Sequence, residues 1–222
     1  ELPAGDDFRL PADALAQANA DVTFVANPNS PTGTAAGLDD LSALAGRLSG
    51  LLVIDEAYVD FARVDALPLT REHDNVICLR TLSKGYSLAG LRLGFGIANP
   101  ELLQGLYKAK SIYNVGALPA AIGAAAMADQ DHKAVNAARV VASRDRLAAD
   151  LAALGYRVWP SEANFLLARP HDGQAERRYL ALKDRGILVR YYSQPPLDDK
   201  LRITLGDDAE NAALLGALRD MQ

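Results

Sequence analysis

The chain has 222 residues, of which half are hydrophobic and 23% are charged, and its formal net charge is −5. A chain of this length buries roughly 70% of the surface that its unfolded form exposes, enough for one large core or two modest ones. The composition is that of an ordinary globular protein, which excludes collagen, coiled coils and extended disorder. The mild acidity and the lack of a basic run in the sequence disfavour nucleic acid and anionic membranes as partners, so a small metabolite is the expected ligand.

The sequence also bears on the compartment. It contains no apolar run of about 18 residues, the length that a membrane-spanning helix needs. Residues 1–7 lack the basic start and apolar middle of a signal peptide. Cys78 is the single cysteine and lies in the apolar run 76–79, so we expect a buried, unreactive thiol and no disulfide within the chain. These features predict a cytoplasmic protein.

The first hundred residues alternate short apolar runs with a helical pattern. The apolar runs are residues 22–26, 51–54, 76–79 and 93–98, and the helical repeat lies between 38 and 48. The last three runs are too short and too uniformly apolar for a surface helix, which favours strands covered on both faces. Prolines and a glycine in 27–33 fit only a loop. We therefore predict an α/β fold with a mostly parallel sheet wrapped by helices.

The pattern changes after Pro100. Residues 101–109 are helical in pattern, 114–119 form a break, and the alanine-rich stretch 120–154 predicts one very long helix or two in succession, ended by Gly155. Further strands are predicted at 156–159, 165–168, 187–190 and 201–204, with helices near 174–185 and 208–221. The predicted division is a large-domain part over 1–118, connecting helix or helices over 119–154, and a smaller C-terminal α+β domain over 155–222.

Asp55 is the first residue whose position predicts chemistry. It closes the run 51–54 and should stand at the carboxyl end of a parallel strand, where open α/β sheets bind ligands. A carboxylate there can pair with a protonated pyridine nitrogen, and Tyr58 can donate a hydrogen bond to a ring hydroxyl. Taken alone, the segment is also compatible with Asp55 as a helix N-cap.

Lys84 lies in a segment that also carries hydroxyl groups and an arginine. An amine that forms a Schiff base must lose its proton near neutral pH, and burial beside a cation such as Arg92 favours that loss. Thr81, Ser83 and Arg92 are candidates for a phosphate cradle, because a guanidinium grips phosphate oxygens in a forked geometry. A lone lysine would more often be an ordinary surface residue in a loop. The sequence has no Walker loop and no complete dinucleotide fingerprint.

Six segments together resemble the fold type I pyridoxal-phosphate aminotransferases, most of all the histidinol-phosphate aminotransferases. The segments are Asn29-Ser30-Pro31-Thr32-Gly33, Asp55-Glu56-Ala57-Tyr58, Thr81-Leu82-Ser83-Lys84 through Arg92, Ala163-Asn164-Phe165-Leu166-Leu167, Gly186-Ile187-Leu188-Val189-Arg190 and Leu201-Arg202-Ile203-Thr204-Leu205-Gly206. The resemblance implies a homodimeric enzyme of histidine biosynthesis that uses pyridoxal 5′-phosphate to transfer an amino group between histidinol phosphate and 2-oxoglutarate. An aromatic aminotransferase and a threonine-phosphate decarboxylase share the cofactor residues and remain alternatives.

The resemblance also implies a role for each matching residue. Lys84 would bond the cofactor and shuttle the proton, and the further cofactor contacts would be Asp55, Tyr58, Thr81, Ser83 and Arg92. Arg202 would grip the substrate α-carboxylate, Arg190 the substrate phosphate, and Asn164 would be another substrate contact. The family usually has asparagine directly before Pro-Thr-Gly, contacting the ring hydroxyl. Here Ser30 stands at that position, so Asn29 is the candidate.

The two arginines can also be judged without the resemblance. A charge between two apolar residues in mid-strand, as at Arg202, is costly unless its face of the strand is a site. Arg190 ends a short apolar run and needs an anion or solvent, so a structural salt bridge is an equal alternative to a functional role.

The resemblance implies an N-terminal part that precedes this segment in the family, so the fragment alone is expected to have exposed sheet edges and to need that part for activity. A rival from another class is the noncatalytic, aminotransferase-like sensor domain of a transcription regulator. A further rival is a stable proteolytic remnant that binds nothing. His73, His132 and His171 are too scattered for a metal site, so no metal is expected.

Overall fold

The computed structural model describes residues 5–221. Residues 1–4, which belong to the N-terminal segment compared above with a signal peptide, and Gln222 lie outside the described residues. The helices are α1 Ala12–Gln17, α2 Leu38–Arg47, α3 Leu69–Glu72, α4 Pro100–Ala109, α5 Ala117–Ala128, α6 Gln130–Ala153, α7 Ala175–Asp184 and α8 Asp208–Arg219. The strands are β1 Val22–Ala26, β2 Leu51–Asp55, β3 Val76–Thr81, β4 Gly94–Ala98, β5 Arg157–Val158, β6 Phe165–Arg169, β7 Arg190–Tyr191 and β8 Leu201–Thr204.

The first sheet has the order β1-β2-β3-β4, with β1, β2 and β3 parallel and β4 antiparallel to β3. Helix α2 covers one face through Leu41 and Leu44, which pack with Leu52 and Ile54 of β2 in a buried cluster. The mostly parallel sheet with packed helices agrees with the predicted α/β class. The prediction was wrong for β4, because Gly94 to Gly96 are exposed along this antiparallel edge strand instead of covered on both faces.

The carboxyl ends of the three parallel strands meet at one edge. Ala26 pairs with Asp55, and Asp55 pairs with Leu79 on its other side. Backbone hydrogen bonds continue past the strand ends, from Asn27 N to Asp55 O at 2.9 Å and from Glu56 N to Leu79 O at 2.8 Å. The loops that follow β1, β2 and β3 therefore leave the sheet side by side.

Cys78 lies in the middle of this sheet. Its side chain is fully buried, and its thiol donates to the carbonyl of Ala66 at 3.5 Å. Burial raises the pKa of Cys78 to about 12. The thiol is therefore protonated and buried at neutral pH, as the apolar run around it predicted.

The alanine-rich stretch forms two helices, which decides between the two predicted alternatives. Asp129 separates α5 from α6, and its carboxylate accepts from His132 N at 3.2 Å, which caps α6. Gly155 follows the end of α6 in the left-handed region at φ +79, the conformation that glycine allows at a helix end.

The second sheet is antiparallel, in the order β5-β6-β8-β7. One face packs Leu166 and Ile203 against α6, α7 and α8 in the largest buried cluster. The opposite face carries Phe165, Leu167 and Arg202, because β6 and β8 pair Leu167 with Arg202. Strand β7 begins at Arg190, three residues later than predicted, since 187–189 form no strand.

The segment before α1 also reaches this second sheet. The rings of Phe8 and Trp159 lie 5.6 Å apart, and Trp159 Nε1 donates to Asp6 O at 3.1 Å.

The division of the chain at 118 and 154 stays a prediction. In the described part of the chain, no helix has the length and apolar character needed to cross a membrane. Nor do three or more His, Cys, Asp or Glu side chains of those residues gather where they could hold a metal ion.

Candidate active site

Lys84 stands in the loop after β3 and meets the loop after β2. Its Nζ lies 5.2 Å from the centroid of the Tyr58 ring, and Tyr58 is buried. Within residues 5–221, Lys84 forms no ion pair with a carboxylate. The structure therefore brings the predicted amine to the segment that contains Asp55, and it leaves that amine without a charged partner among the described side chains.

Asp55 is exposed at the carboxyl end of β2. Its Oδ1 accepts from Ala57 N at 3.0 Å, and Oδ2 accepts no hydrogen bond from the described residues. The helical turn that follows, Val59–Phe61, has Tyr58 at its N-cap position, so Asp55 is not a helix N-cap. The carboxylate is thus held on one side and open on the other.

Thr81 and Ser83 form a hydroxyl pair beside Lys84. Thr81 Oγ1 lies 2.9 Å from Ser83 Oγ and accepts from Ser83 N at 3.1 Å. Thr81 Oγ1 also lies 3.2 Å from Leu93 O, which brings the Arg92 segment next to the pair. The Arg92 guanidinium is exposed and donates to Ala89 O at 2.9 Å.

A buried ion pair behind these loops was missed by the sequence analysis. Glu56 is 1% exposed, and its Oε2 accepts from Arg80 Nε at 2.8 Å while its Oε1 accepts from Ala66 N at 2.6 Å. Desolvation raises the pKa of the Glu56 carboxyl above its ordinary value, and the Ala66 N–H and Arg80 oppose that rise. Glu56 follows Asp55 and Arg80 precedes Thr81, so the pair joins the ends of β2 and β3 directly behind the site. No motif or spacing in the sequence signals it.

Glu56→Ala is expected to lower the free energy of unfolding by about 3 kcal/mol, because it leaves the Arg80 guanidinium with only the partly exposed Asp65, 3.3 Å away. Glu56→Gln keeps the size of the side chain and one acceptor oxygen for either Arg80 Nε or Ala66 N, so it should cost less than Glu56→Ala. Urea unfolding followed by circular dichroism measures both. A change for Glu56→Ala within about 0.5 kcal/mol, the range of ordinary surface substitutions, would contradict this role.

The lysine loop is also packed against α6. A Cβ added at Gly85 would come within 2.4 Å of Asp60 Oδ2, so only glycine fits there without a shift. Asp60 is fixed in turn by Lys133 of α6, whose Nζ lies 3.2 Å from Asp60 Oδ1. This close approach fixes the residue directly after Lys84.

Arg144 of α6 connects the loop after β2 with the segment before β6. Its guanidinium is almost fully buried and donates to Phe61 O at 3.3 Å and to Ala163 O at 3.1 Å. Phe61 lies in the turn after Tyr58, and Ala163 directly precedes Asn164. The sequence analysis missed this residue as well, since one arginine in a long helix carries no signal.

The loop after β1 places Asn29 and Ser30 differently from each other. Asn29 Oδ1 accepts from the Thr32 hydroxyl at 2.9 Å within the turn. The exposed Ser30 hydroxyl accepts from Arg202 Nη1 at 3.5 Å. Gly33, at φ +81, approaches Ser161 so closely that a Cβ would lie 2.4 Å from its Oγ. The loop is therefore anchored beside the second sheet, and the cofactor role of Asn29 stays a prediction.

Arg202 and Arg190 stand directly opposite each other on β8 and β7. The Arg202 Cζ lies 4.0 Å above the Phe165 ring, and the Arg190 Cζ lies 5.2 Å from the Tyr192 ring. Neither guanidinium forms an ion pair with the described residues. Two like charges at paired positions of a sheet are destabilising, so this arrangement favours an anionic ligand.

Asn164 Oδ1 and Arg202 Nε are buried and have no hydrogen-bond partner among residues 5–221. Unpaired buried polar atoms cost free energy and are common where a ligand completes the bonding. Asn164 and Arg202 are two of the three residues expected to contact the substrate, and Arg190 is the third.

The donor set fits pyridoxal phosphate. Lys84 offers an amine for an aldehyde, Asp55 offers an open carboxylate oxygen for a cationic ring nitrogen, and the pair of Thr81 and Ser83 offers hydroxyls for a phosphate.

Comparisons with known proteins agree with this chemistry. The family model of class I and II aminotransferases matches residues 3–218. Histidinol-phosphate aminotransferase 1 of Nostoc sp. is 56% identical over 221 residues, which are 100% of this chain and 63% of that protein. The histidinol-phosphate aminotransferase of Aromatoleum aromaticum is 43% identical over 99% of this chain and 64% of its own length.

A solved structure is also similar. The histidinol-phosphate aminotransferase of Sinorhizobium meliloti, in complex with pyridoxal-5′-phosphate, matches 100% of this chain and 64% of its own with a TM-score of 0.87 and 32% identity. The chain thus spans a little under two thirds of the length of these relatives.

Proposed function

Because the chain belongs to the class I and II aminotransferases, we propose that the protein containing it moves an amino group between a primary amine and a 2-oxo acid with pyridoxal 5′-phosphate as its cofactor. The observation that carries the proposal is the Lys84 amine, which lies over the Tyr58 ring and has no charged partner among residues 5–221. The similar structure from Sinorhizobium meliloti, which is a complex with that cofactor, supports it.

The residues that would hold the cofactor come from the three loops at the carboxyl edge of the first sheet. Thr81, Ser83 and Arg92 would bind its phosphate, and Tyr58 its ring hydroxyl, with Asn29 as a further candidate there. Asp55 would keep a proton on the ring nitrogen by its negative charge. When bound, pyridoxal phosphate supplies an aldehyde for covalent attachment and a ring that withdraws electrons.

In this proposal Lys84 transfers the proton. Its Nζ would take a proton from the substrate carbon that carries the amine and return a proton to complete the transfer. Gly85 and the buried Glu56–Arg80 pair hold the loops that carry Lys84 and Asp55, so these two residues keep a fixed separation.

The favoured substrate pair is histidinol phosphate with 2-oxoglutarate, and the first of these two substrates appears in the names of two relatives of this chain. The paired arginines Arg190 and Arg202 support this choice. Of the two substrates, histidinol phosphate has a phosphate and 2-oxoglutarate has carboxylates, and a guanidinium binds both kinds of anion. Arg202 would bind the α-carboxylate and Arg190 the phosphate, with Asn164 as a further contact. We expect such a biosynthetic enzyme to act in the cytoplasm.

The same proposal includes a homodimer. The segment between α4 and α5 exposes large apolar side chains, with Ile112 82% and Tyr113 94% exposed. Exposed apolar surface of this kind marks contact with other protein surface. We propose that a second copy of the chain covers this surface.

Arg190→Ala tests the substrate assignment in the complete protein. We expect the KM for histidinol phosphate to rise by about 10- to 100-fold, because a charge-assisted contact to phosphate contributes about 1.5–3 kcal/mol. The KM for phenylalanine, which has no phosphate, should change little. Steady-state transamination of the two amines by wild type and variant measures the difference.

Equal losses for both amines would contradict a phosphate role for Arg190. A wild-type protein that transaminates phenylalanine and leaves histidinol phosphate unchanged would refute the proposed substrate and leave the transamination chemistry in place.

A further inference from the structure

We propose that Phe165 is a positioning residue, whose ring holds the Arg202 guanidinium in the orientation that a substrate carboxylate needs. This inference rests on the proposed transamination and adds to it a residue for which the resemblance implied no role. Phe165 is fully buried at the start of β6. Its ring contacts Tyr58 in the loop after β2 and Arg202 on β8.

Few contacts other than the Phe165 ring orient the Arg202 guanidinium. Its Nε has no hydrogen-bond partner among the described residues, and its Nη1 makes one contact, with Ser30 Oγ at the long distance of 3.5 Å. The Phe165 ring lies 4.0 Å from Cζ, inside the range in which a guanidinium is attracted to an aromatic face. The buried ring is therefore a fixed surface against which this guanidinium lies.

An aromatic partner leaves Arg202 able to bind a ligand. A carboxylate partner would occupy the N–H groups of Arg202 and neutralise its charge, as Glu56 does for Arg80. An aromatic ring restrains the plane of the guanidinium and leaves its N–H groups and its charge available to a ligand. This is the arrangement that a carboxylate-binding arginine needs before the substrate arrives.

Phe165 is also connected to the reactive amine of Lys84. The Phe165 ring meets the Tyr58 ring edge-on, with centroids 5.0 Å apart and planes at 88°. Tyr58 in turn lies under the Lys84 Nζ at 5.2 Å. A series of contacts thus leads from the Lys84 amine through the Tyr58 and Phe165 rings to Arg202, and Phe165 is the member that touches the arginine. Its packing fixes where the carboxylate is held relative to the base.

The test uses the complete protein loaded with pyridoxal phosphate and the variant Phe165→Leu, which keeps an apolar side chain and removes the ring. We expect the KM for 2-oxoglutarate to rise about tenfold, because the desolvated contact between the Phe165 ring and the Arg202 guanidinium is lost. The kcat should stay within a factor of about three of the wild-type value. The KM for histidinol phosphate, which carries no carboxylate, and the affinity for pyridoxal phosphate from an absorbance titration should stay within about twofold of wild type.

Leu166→Val is the matched control, since Leu166 is equally buried on the same strand and faces the opposite core. It should leave the ratio of the two KM values unchanged. Urea unfolding checks that each variant folds, and Phe165→Met provides a second ringless side chain with more freedom to fill the space.

The inference is overturned if the ringless variants raise both KM values equally, or if they leave the KM for 2-oxoglutarate unchanged. In those cases wild type still transaminates, so the proposed function stands. A wild type that neither develops a visible absorption band with pyridoxal phosphate nor transaminates refutes the proposed function and the role of Phe165 together.

Discussion

Lys84→Ala is expected to lower transamination by the complete protein by roughly 10⁴-fold or more, because the variant loses both the covalent attachment point and the base that moves the proton. The covalent bond between the lysine and pyridoxal phosphate absorbs visible light, and this absorption band should disappear as well. Steady-state kinetics and an absorbance titration with the cofactor measure these two effects separately.

Lys108→Ala is the control for that loss, since Lys108 is an exposed lysine of α4. It should retain the band and the activity of wild type. A Lys84→Ala protein that keeps the band, or that turns over at more than about 1% of the wild-type rate, would show that another amine does the chemistry.

Asp55→Asn has the second largest expected effect. The substitution keeps the size of the side chain and an acceptor for Ala57 N but removes the negative charge that would stabilise a protonated ring nitrogen. The loss of a charge-assisted contact of about 1.5–3 kcal/mol corresponds to a fall in kcat of roughly 10- to 150-fold. Measuring kcat for wild type and variant at saturating cofactor tests it.

Two comparisons sharpen this prediction. Asp184→Asn, on the exposed end of α7, removes an equal charge far from the proposed site and should leave kcat unchanged. Asp55→Glu restores the charge and should recover part of the lost rate. If Asp55→Asn were as active as wild type, the carboxylate would have no part in the electronics of the ring.

The parallel part of the fold and the position of Asp55 could be predicted from the sequence, because buried strands leave a signal in hydrophobic pattern. Runs such as 51–54 and 76–79 are short and wholly apolar, and an acid directly after such a run stands at the ligand-binding edge. The strands formed at these runs, and their carboxyl ends lie side by side.

Strand direction and partial exposure could not be predicted in the same way. The run 93–98 is as apolar as the others, yet β4 pairs antiparallel with β3 and its residues 94–96 are exposed. An apolar run records that a strand forms, whereas the direction and the covering of that strand depend on the chain before and after it.

The side chains that support the site left no pattern in the sequence. Glu56, Arg80 and Arg144 meet partners far away in the chain, and such pairs are set by tertiary packing. The same holds for Phe165, which reads from sequence as one more apolar residue of a strand. Its contact with Arg202 exists because β6 and β8 pair in a register that puts both residues on one face.

In the proposed function Lys84 bonds the cofactor covalently. Reduction of the complete, cofactor-loaded protein with borohydride makes that bond permanent, and peptide mass spectrometry then locates the attached pyridoxyl group. We predict the group on the peptide that contains Lys84. A pyridoxyl group on another lysine, or a protein that transaminates with no lysine labelled, would contradict the claim.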